Sequence, residues 1–127
     1  MPYLVTERPE RALVIGLGAG NTVETLLRTD LPHVDVVELE AGVVQAMEVL
    51  HAGRTNPLHD PRVTLHVNDG RNVLLRARHG GSPGWDVIAS QPSHPWLIGA
   101  ANLFTEEFFA LARDALRPDG AFALWVN

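Results

Sequence analysis

Ala12-Leu13-Val14-Ile15-Gly16-Leu17-Gly18-Ala19-Gly20-Asn21, followed by Val34-Asp35-Val36-Val37-Glu38, is the stretch whose reading decides the fold. An apolar run of strand length meets a glycine-rich turn. A segment of helical spacing follows, and a second apolar run then ends in a carboxylate. That order describes one βαβ half of a doubly wound parallel sheet built to take a nucleotide or nucleoside. Gly16, Gly18 and Gly20 allow a tight turn and a close approach of backbone to ligand, where a Cβ would collide. Glu38 follows the first glycine by about twenty residues, the distance at which such folds place an acid that accepts from ribose hydroxyls. A tight turn with no ligand is the plainer alternative.

The glycine spacing bears on which nucleoside. A dinucleotide fingerprint asks for Gly-x-Gly-x-x-Gly, with pyrophosphate on the helix N-terminus. Here Asn21 holds the last position and the third glycine comes one residue early. A ligand without phosphates, such as S-adenosylmethionine, fits better than NAD.

Outward from this stretch, strand and helix signals alternate. Strands are predicted at about Ala12 to Gly16, His33 to Leu39, Val63 to Val67, Trp85 to Ala89 and Ala121 to Val126. Between them fall four helices: Asn21, as cap, to about Thr29; Ala41 to Leu50, with Val43, Met47 and Leu50 on one face; Arg71 to about Arg78, opened by Asp69-Gly70; and one capped by Thr105. Phe108, Leu111, Ala112, Ala115 and Leu116 form the buried stripe of the last helix, which Arg117-Pro118-Asp119-Gly120 closes. Ser90 to Asn102 reads as non-helical. With right-handed crossovers this is an α/β fold, a doubly wound, Rossmann-like parallel sheet in order 3-2-1-4-5, with two helices on each face.

The chain has 127 residues, 46% hydrophobic and 20% charged, which suits one globular domain over residues 1–127. It has no cysteine, so disulfides, thiolate nucleophiles and cysteine zinc sites are excluded. The net charge is −5, all ten basic residues are Arg, and no basic run occurs, which argues against a nucleic-acid partner. No apolar run reaches the length of a membrane span, and no signal peptide opens the chain. His33, His51, His59, His66, His79 and His94 are scattered without ligand spacing, so no metal is expected.

In open parallel sheets the ligand lies beyond the carboxyl ends of the strands, where strand order reverses. That rule brings together the glycine turn, Glu38, Asp69 with Gly70, and the segment from Ser90 to Trp96. Asp69 suits an adenine amino group, with the Gly70 amide on a ring nitrogen. It equally suits the N-cap of the third helix. Glu40 reads as a solvated acid beside Glu38, and His66 as packed or at the sheet edge.

Val14 to Gly20, Val36 to Glu40, Asp60 to Val63, Asn68 to Arg71, Asp86 to Ile88, Pro92 to Trp96, Leu103 to Thr105 and Leu116 to Gly120 together resemble spermidine synthase-like proteins. These are polyamine aminopropyltransferases on the class I S-adenosylmethionine-dependent methyltransferase fold. The resemblance implies that Glu38 holds the ribose of S-adenosylmethionine or its decarboxylated form, bound as substrate, and that Asp69 and Gly70 hold adenine. The glycine turn would pass under the methionine-derived chain. It also implies catalytic positions at Gln91 and His94, where the synthases carry an Asp that serves as base and an Asp that helps bind the polyamine. Gln91 cannot take a proton at any useful pH. Ala19 likewise stands where synthases carry an Asp. The expected function is therefore a spermidine synthase-like domain with aminopropyl transfer impaired or altered. Methyl transfer and a non-catalytic nucleoside-binding or assembly module are the alternatives.

The resemblance also implies an N-terminal hairpin before Ala12 and an antiparallel strand pair after Asn127. Neither is found in the chain, which reads as a fragment of a longer protein lacking the last two strands. The expected partners are a small-molecule nucleoside and, as an open alternative, a polyamine. No nucleic acid and no membrane contact by this segment are expected. A homodimer is a further open alternative, and the expected location is cytoplasmic.

Overall fold

The structure, a computed structural model, describes residues 7–92 and 100–125. The element order is β1 (Arg11–Ile15), α1 (Asn21–Leu27), β2 (His33–Glu38), α2 (Ala41–Leu50), β3 (Val63–Val67), α3 (Gly70–His79), β4 (Trp85–Ser90), α4 (Glu106–Ala115) and β5 (Leu116–Leu124). Short 3₁₀ turns occupy Pro57–His59 and Ala101–Phe104. The second of these overlaps the end of the stretch, Ser90 to Asn102, read from the sequence as non-helical.

All four strand pairings are parallel, and the sheet order is β3-β2-β1-β4-β5. β1, and β2 apart from Asp35, are apolar through their centres because both faces of the sheet are covered there. Ala12, Val14, Val34, Val36 and Val87 pack with Val23 and Leu26 of α1 and Met47 of α2. Leu13, Ile15, Val37 and Ile88 pack on the opposite side with Val73 and Leu74 of α3 and Phe108, Leu111, Ala112 and Ala115 of α4. The two helices expected on each face are present.

Local signals held less well. Gly20, not Asn21, caps α1: it has φ of 82° and no side-chain cap bond. The positive φ favours glycine, and a Cβ there would fall 2.6 Å from Met47 Cε, the end of a flexible side chain that would have to shift. Leu50 is 58% exposed, since α2 turns only the side bearing Met47 fully inward. β5 begins earlier than the sequence suggests. Leu116 already pairs with Trp85, and the next pair is Val87 with Ala121. Residues 117–120 bulge out between them, where Pro118 has no N–H for the ladder and Asp119 has φ of 64°.

At the amino end of the sheet, Asp35 is 2% exposed within an otherwise apolar strand. Its Oδ2 accepts from Arg11 Nε at 2.9 Å and Trp85 Nε1 at 2.8 Å, and its Oδ1 lies 3.0 Å from His66 Nε2. One carboxylate thus ties β1, β2, β3 and β4. Burial alone would push the Asp35 carboxyl up. Hydrogen bonds from His66, Trp85 and Arg11, with the Arg11 charge, outweigh it and hold the carboxyl below its usual value.

Candidate functional site

At the carboxyl ends of β1, β2 and β4 the glycine turn leaves a crevice of about 250 Å³. Gly16, Gly18, Glu38, Asp69, Gly70 and Gln91 all line it, so six of the predicted site residues meet in one place. Gly20 does not; it packs against Met47 and caps α1. His94 lies outside the described residues.

The turn is built by interlocking backbone bonds. Gly16 N–H donates to Val37 O at 2.8 Å, and Gln91 N–H donates to Ile15 O at 2.8 Å. With φ of 93°, Gly16 sits so close to the end of β4 that a Cβ would lie 2.8 Å from the Gln91 carbonyl oxygen. The close approach therefore joins three strands, and only glycine permits it. Among the described residues no atom beyond Gly18 and its chain neighbours lies within 4 Å of where its Cβ would be, so its edge of the turn is open there.

Glu38 ends β2 and is 8% exposed. Its Oε2 accepts from the Leu17 amide at 2.9 Å and its Oε1 from the Glu40 amide at 2.9 Å. Two backbone donors hold the carboxylate in one orientation, and each oxygen keeps a lone pair for a further donor. An ionised acid fixed in this way can accept from two neighbouring hydroxyls.

Asp69 caps α3, with Oδ1 accepting from the Arg71 amide at 2.8 Å. The cap occupies one carboxylate oxygen, so the structural role read from the sequence is real. Gly70, the first residue of the helix, lies against Ile15; a Cβ there would meet Ile15 Cγ2 at 2.8 Å. Sequence reasoning assigned no part to Asn68, which also lines the crevice. Its amide donates to Glu38 O at 3.0 Å, and its Oδ1 accepts from the Asp69 amide at 2.8 Å. It joins the end of β2 to the start of α3. The only signal for this was its place beside Asp69.

Leu39, Val43 and Leu103 add apolar surface to the crevice, and Glu40 adds a third carboxylate. No basic side chain lines it among the described residues. Among the described residues no group of His, Asp and Glu is arranged to hold a metal ion. Nor is any helix there long and apolar enough to cross a membrane. Two polar atoms at the end of β4, Ser90 Oγ and Gln91 Nε2, are buried without a hydrogen-bond partner among the described residues.

The chain is similar to known proteins over nearly its whole length. The polyamine aminopropyltransferase of Synechococcus sp. (strain JA-2-3B'a(2-13)) is 38% identical over 119 residues, covering 91% of this chain and 37% of that protein. Putrescine N-methyltransferase 1 of Nicotiana tabacum is 32% identical over 133 residues, covering 100% of this chain and 34% of its own length. The chain thus spans well under half the length of these relatives. A crystal structure of spermidine synthase in complex with the transition state analogue AdoDATO matches with a TM-score of 0.87 and 27% identity, over 97% of this chain and 41% of that one. Human methyltransferase-like protein 13 in complex with SAH shares the fold, with a TM-score of 0.70 at 24% identity over 95% of this chain and 56% of that one. Residues 1–125 match the spermine/spermidine synthase domain. The chain belongs to the spermine/spermidine synthase family.

Proposed function

We propose that the crevice binds an adenosyl sulfonium or thioether, S-adenosylmethionine or its decarboxylated form, as a transferase substrate. The observation that carries this reading is Glu38, whose carboxylate is immobilised by the Leu17 and Glu40 amides at the end of β2. Two ribose hydroxyls would take its remaining lone pairs. Asp69 and the Gly70 amide would read adenine, and the turn from Gly16 to Gly20 would run beneath the sulfonium. The solved relative bound to AdoDATO supports a ligand of this class.

In this reading, aminopropyl transfer is impaired or altered. An amine nucleophile must lose a proton, and Gln91, at the position where the family resemblance implies an Asp base, cannot accept one. Methyl transfer is the second reading, favoured by the similarity to a putrescine N-methyltransferase. It depends chiefly on positioning the sulfonium and the acceptor, so Gln91 harms it less.

Titration calorimetry with S-adenosylmethionine, its decarboxylated form and methylthioadenosine tests the ligand class. Binding of none of them, or tighter binding of NAD, refutes it. Incubation with putrescine and decarboxylated S-adenosylmethionine should yield no spermidine, and Gln91→Asp alone should not restore it. The other expected carboxylate position holds His94, and residues that act as a unit fail together. Spermidine formation that His94→Ala abolishes, with nucleoside binding retained, would assign the base to His94 and overturn the impairment.

A further inference from the structure

This inference rests on the nucleoside reading above and concerns what lies at the other end of the same ligand. Gln91 is clamped against the glycine turn by the Ile15 carbonyl and by the close approach of Gly16. It therefore lies beside the path of the methionine-derived chain. Its Nε2 is enclosed and has no hydrogen-bond partner among the described residues. Gln91 also borders an apolar groove with Leu26, Val87, Ala123 and Trp125, a surface poor in acceptors. A carboxamide NH₂ shut off from water without an acceptor has lost hydrogen bonds, and it regains them when the side chain turns toward a ligand acceptor in the crevice that Gln91 lines.

The carboxylates of the crevice stand elsewhere. Glu38 ends β2, Glu40 follows it and Asp69 precedes α3, whereas the residue between Gly18 and Gly20 is Ala19. Among the described residues, the turn and the end of β4 thus present an amide donor and no acid. S-adenosylmethionine and its decarboxylated form both bring an ammonium, for which the Gln91 carbonyl oxygen is a sufficient acceptor. Only S-adenosylmethionine also brings an α-carboxylate, the acceptor that the NH₂ lacks.

We propose that Gln91 makes this site selective for S-adenosylmethionine over its decarboxylated form, by donating from Nε2 to the ligand's α-carboxylate. A carboxylate at this position would do the reverse, repelling the α-carboxylate and attracting the more cationic ligand.

Titration calorimetry on the wild-type chain, Gln91→Ala and Gln91→Asp tests it, with methylthioadenosine, which has neither group, as the reference ligand. The wild type should bind S-adenosylmethionine about tenfold or more tighter than the decarboxylated form, the scale of one charge-assisted hydrogen bond. Gln91→Ala should bring the two close to parity, and Gln91→Asp should invert the order. Methylthioadenosine should bind all three proteins alike, reporting an intact fold and nucleoside pocket. Equal or tighter binding of the decarboxylated form by the wild type, or a preference that survives Gln91→Ala, overturns the assignment. If methylthioadenosine itself fails to bind the wild type, the nucleoside reading falls as well, and the two failures are told apart.

Discussion

Two buried carboxylates on one strand divide the work of this domain. Glu38 and Asp35 both belong to β2, yet Glu38 faces the crevice while Asp35 braces the opposite end of the sheet. Glu38→Ala should weaken binding of an adenosyl ligand by roughly 1.5–3 kcal/mol, the range for a hydrogen bond to a charged group. Calorimetry that finds unchanged affinity would remove the ribose assignment. Asp35 bears on pH. Its folded carboxyl is held below the ordinary value, so its contribution to stability is complete above the unfolded value and fades as pH falls through the folded one. Urea midpoints should therefore drop between about pH 4 and lower pH in the wild type, and drop less in Asp35→Asn. Equal slopes in the two proteins would show that the cluster contributes nothing to acid sensitivity.

At the scale of elements, α3 and α4 use the same device. Asp69 Oδ1 accepts from the Arg71 amide, and Thr105 Oγ1 accepts from the Phe108 amide. Losing either cap should cost about 1 kcal/mol in chemical denaturation. The pair separates structure from function. Asp69→Ala should lower both stability and adenosyl-ligand affinity, whereas Thr105→Ala should lower stability alone. Equal affinities in the two variants would reduce Asp69 to a cap. Element identity was legible in the sequence because apolar period and length differ between these strands and helices. Boundaries were less so. Gly20, at φ of 82°, stands in place of Asn21 as the cap of α1, a left-handed backbone that glycine adopts without strain.

Over the whole molecule, the sheet is sealed unevenly. Phe108 is fully buried and meets Phe109 and Phe122 edge-on, at centroid distances of 5.8 Å and 6.3 Å, joining α4 to the outer strand β5. Phe108→Ala should cost about 3–5 kcal/mol, a large share of the stability of a domain this size. Loss of a cooperative thermal transition, or a matching fall in denaturation midpoint, would be the readout. A cost below about 1 kcal/mol would mean that the α4 face is not well packed. Just past the end of β5, Trp125 is 64% exposed.

The strand order, the helices on each face and most of the crevice follow from signals that are local in sequence. Apolar runs mark strands, glycines mark the turn, and an acid at a set distance marks the end of β2. Those signals survive translation into structure because an open parallel sheet gathers its strand ends at one edge. What the chain could not reveal by itself was pairing across distance. Asp35 looks like a lone polar residue in an apolar run, and its partners Arg11, His66 and Trp85 come from three other strands. The clamp between Gly16 and Gln91, the two amides on Glu38 and the bridge through Asn68 are likewise contacts made only once the sheet has formed. Periodicity reports which face a residue occupies, while hydrogen-bond partners are chosen by the register of strands laid side by side, and that register is a property of the folded sheet.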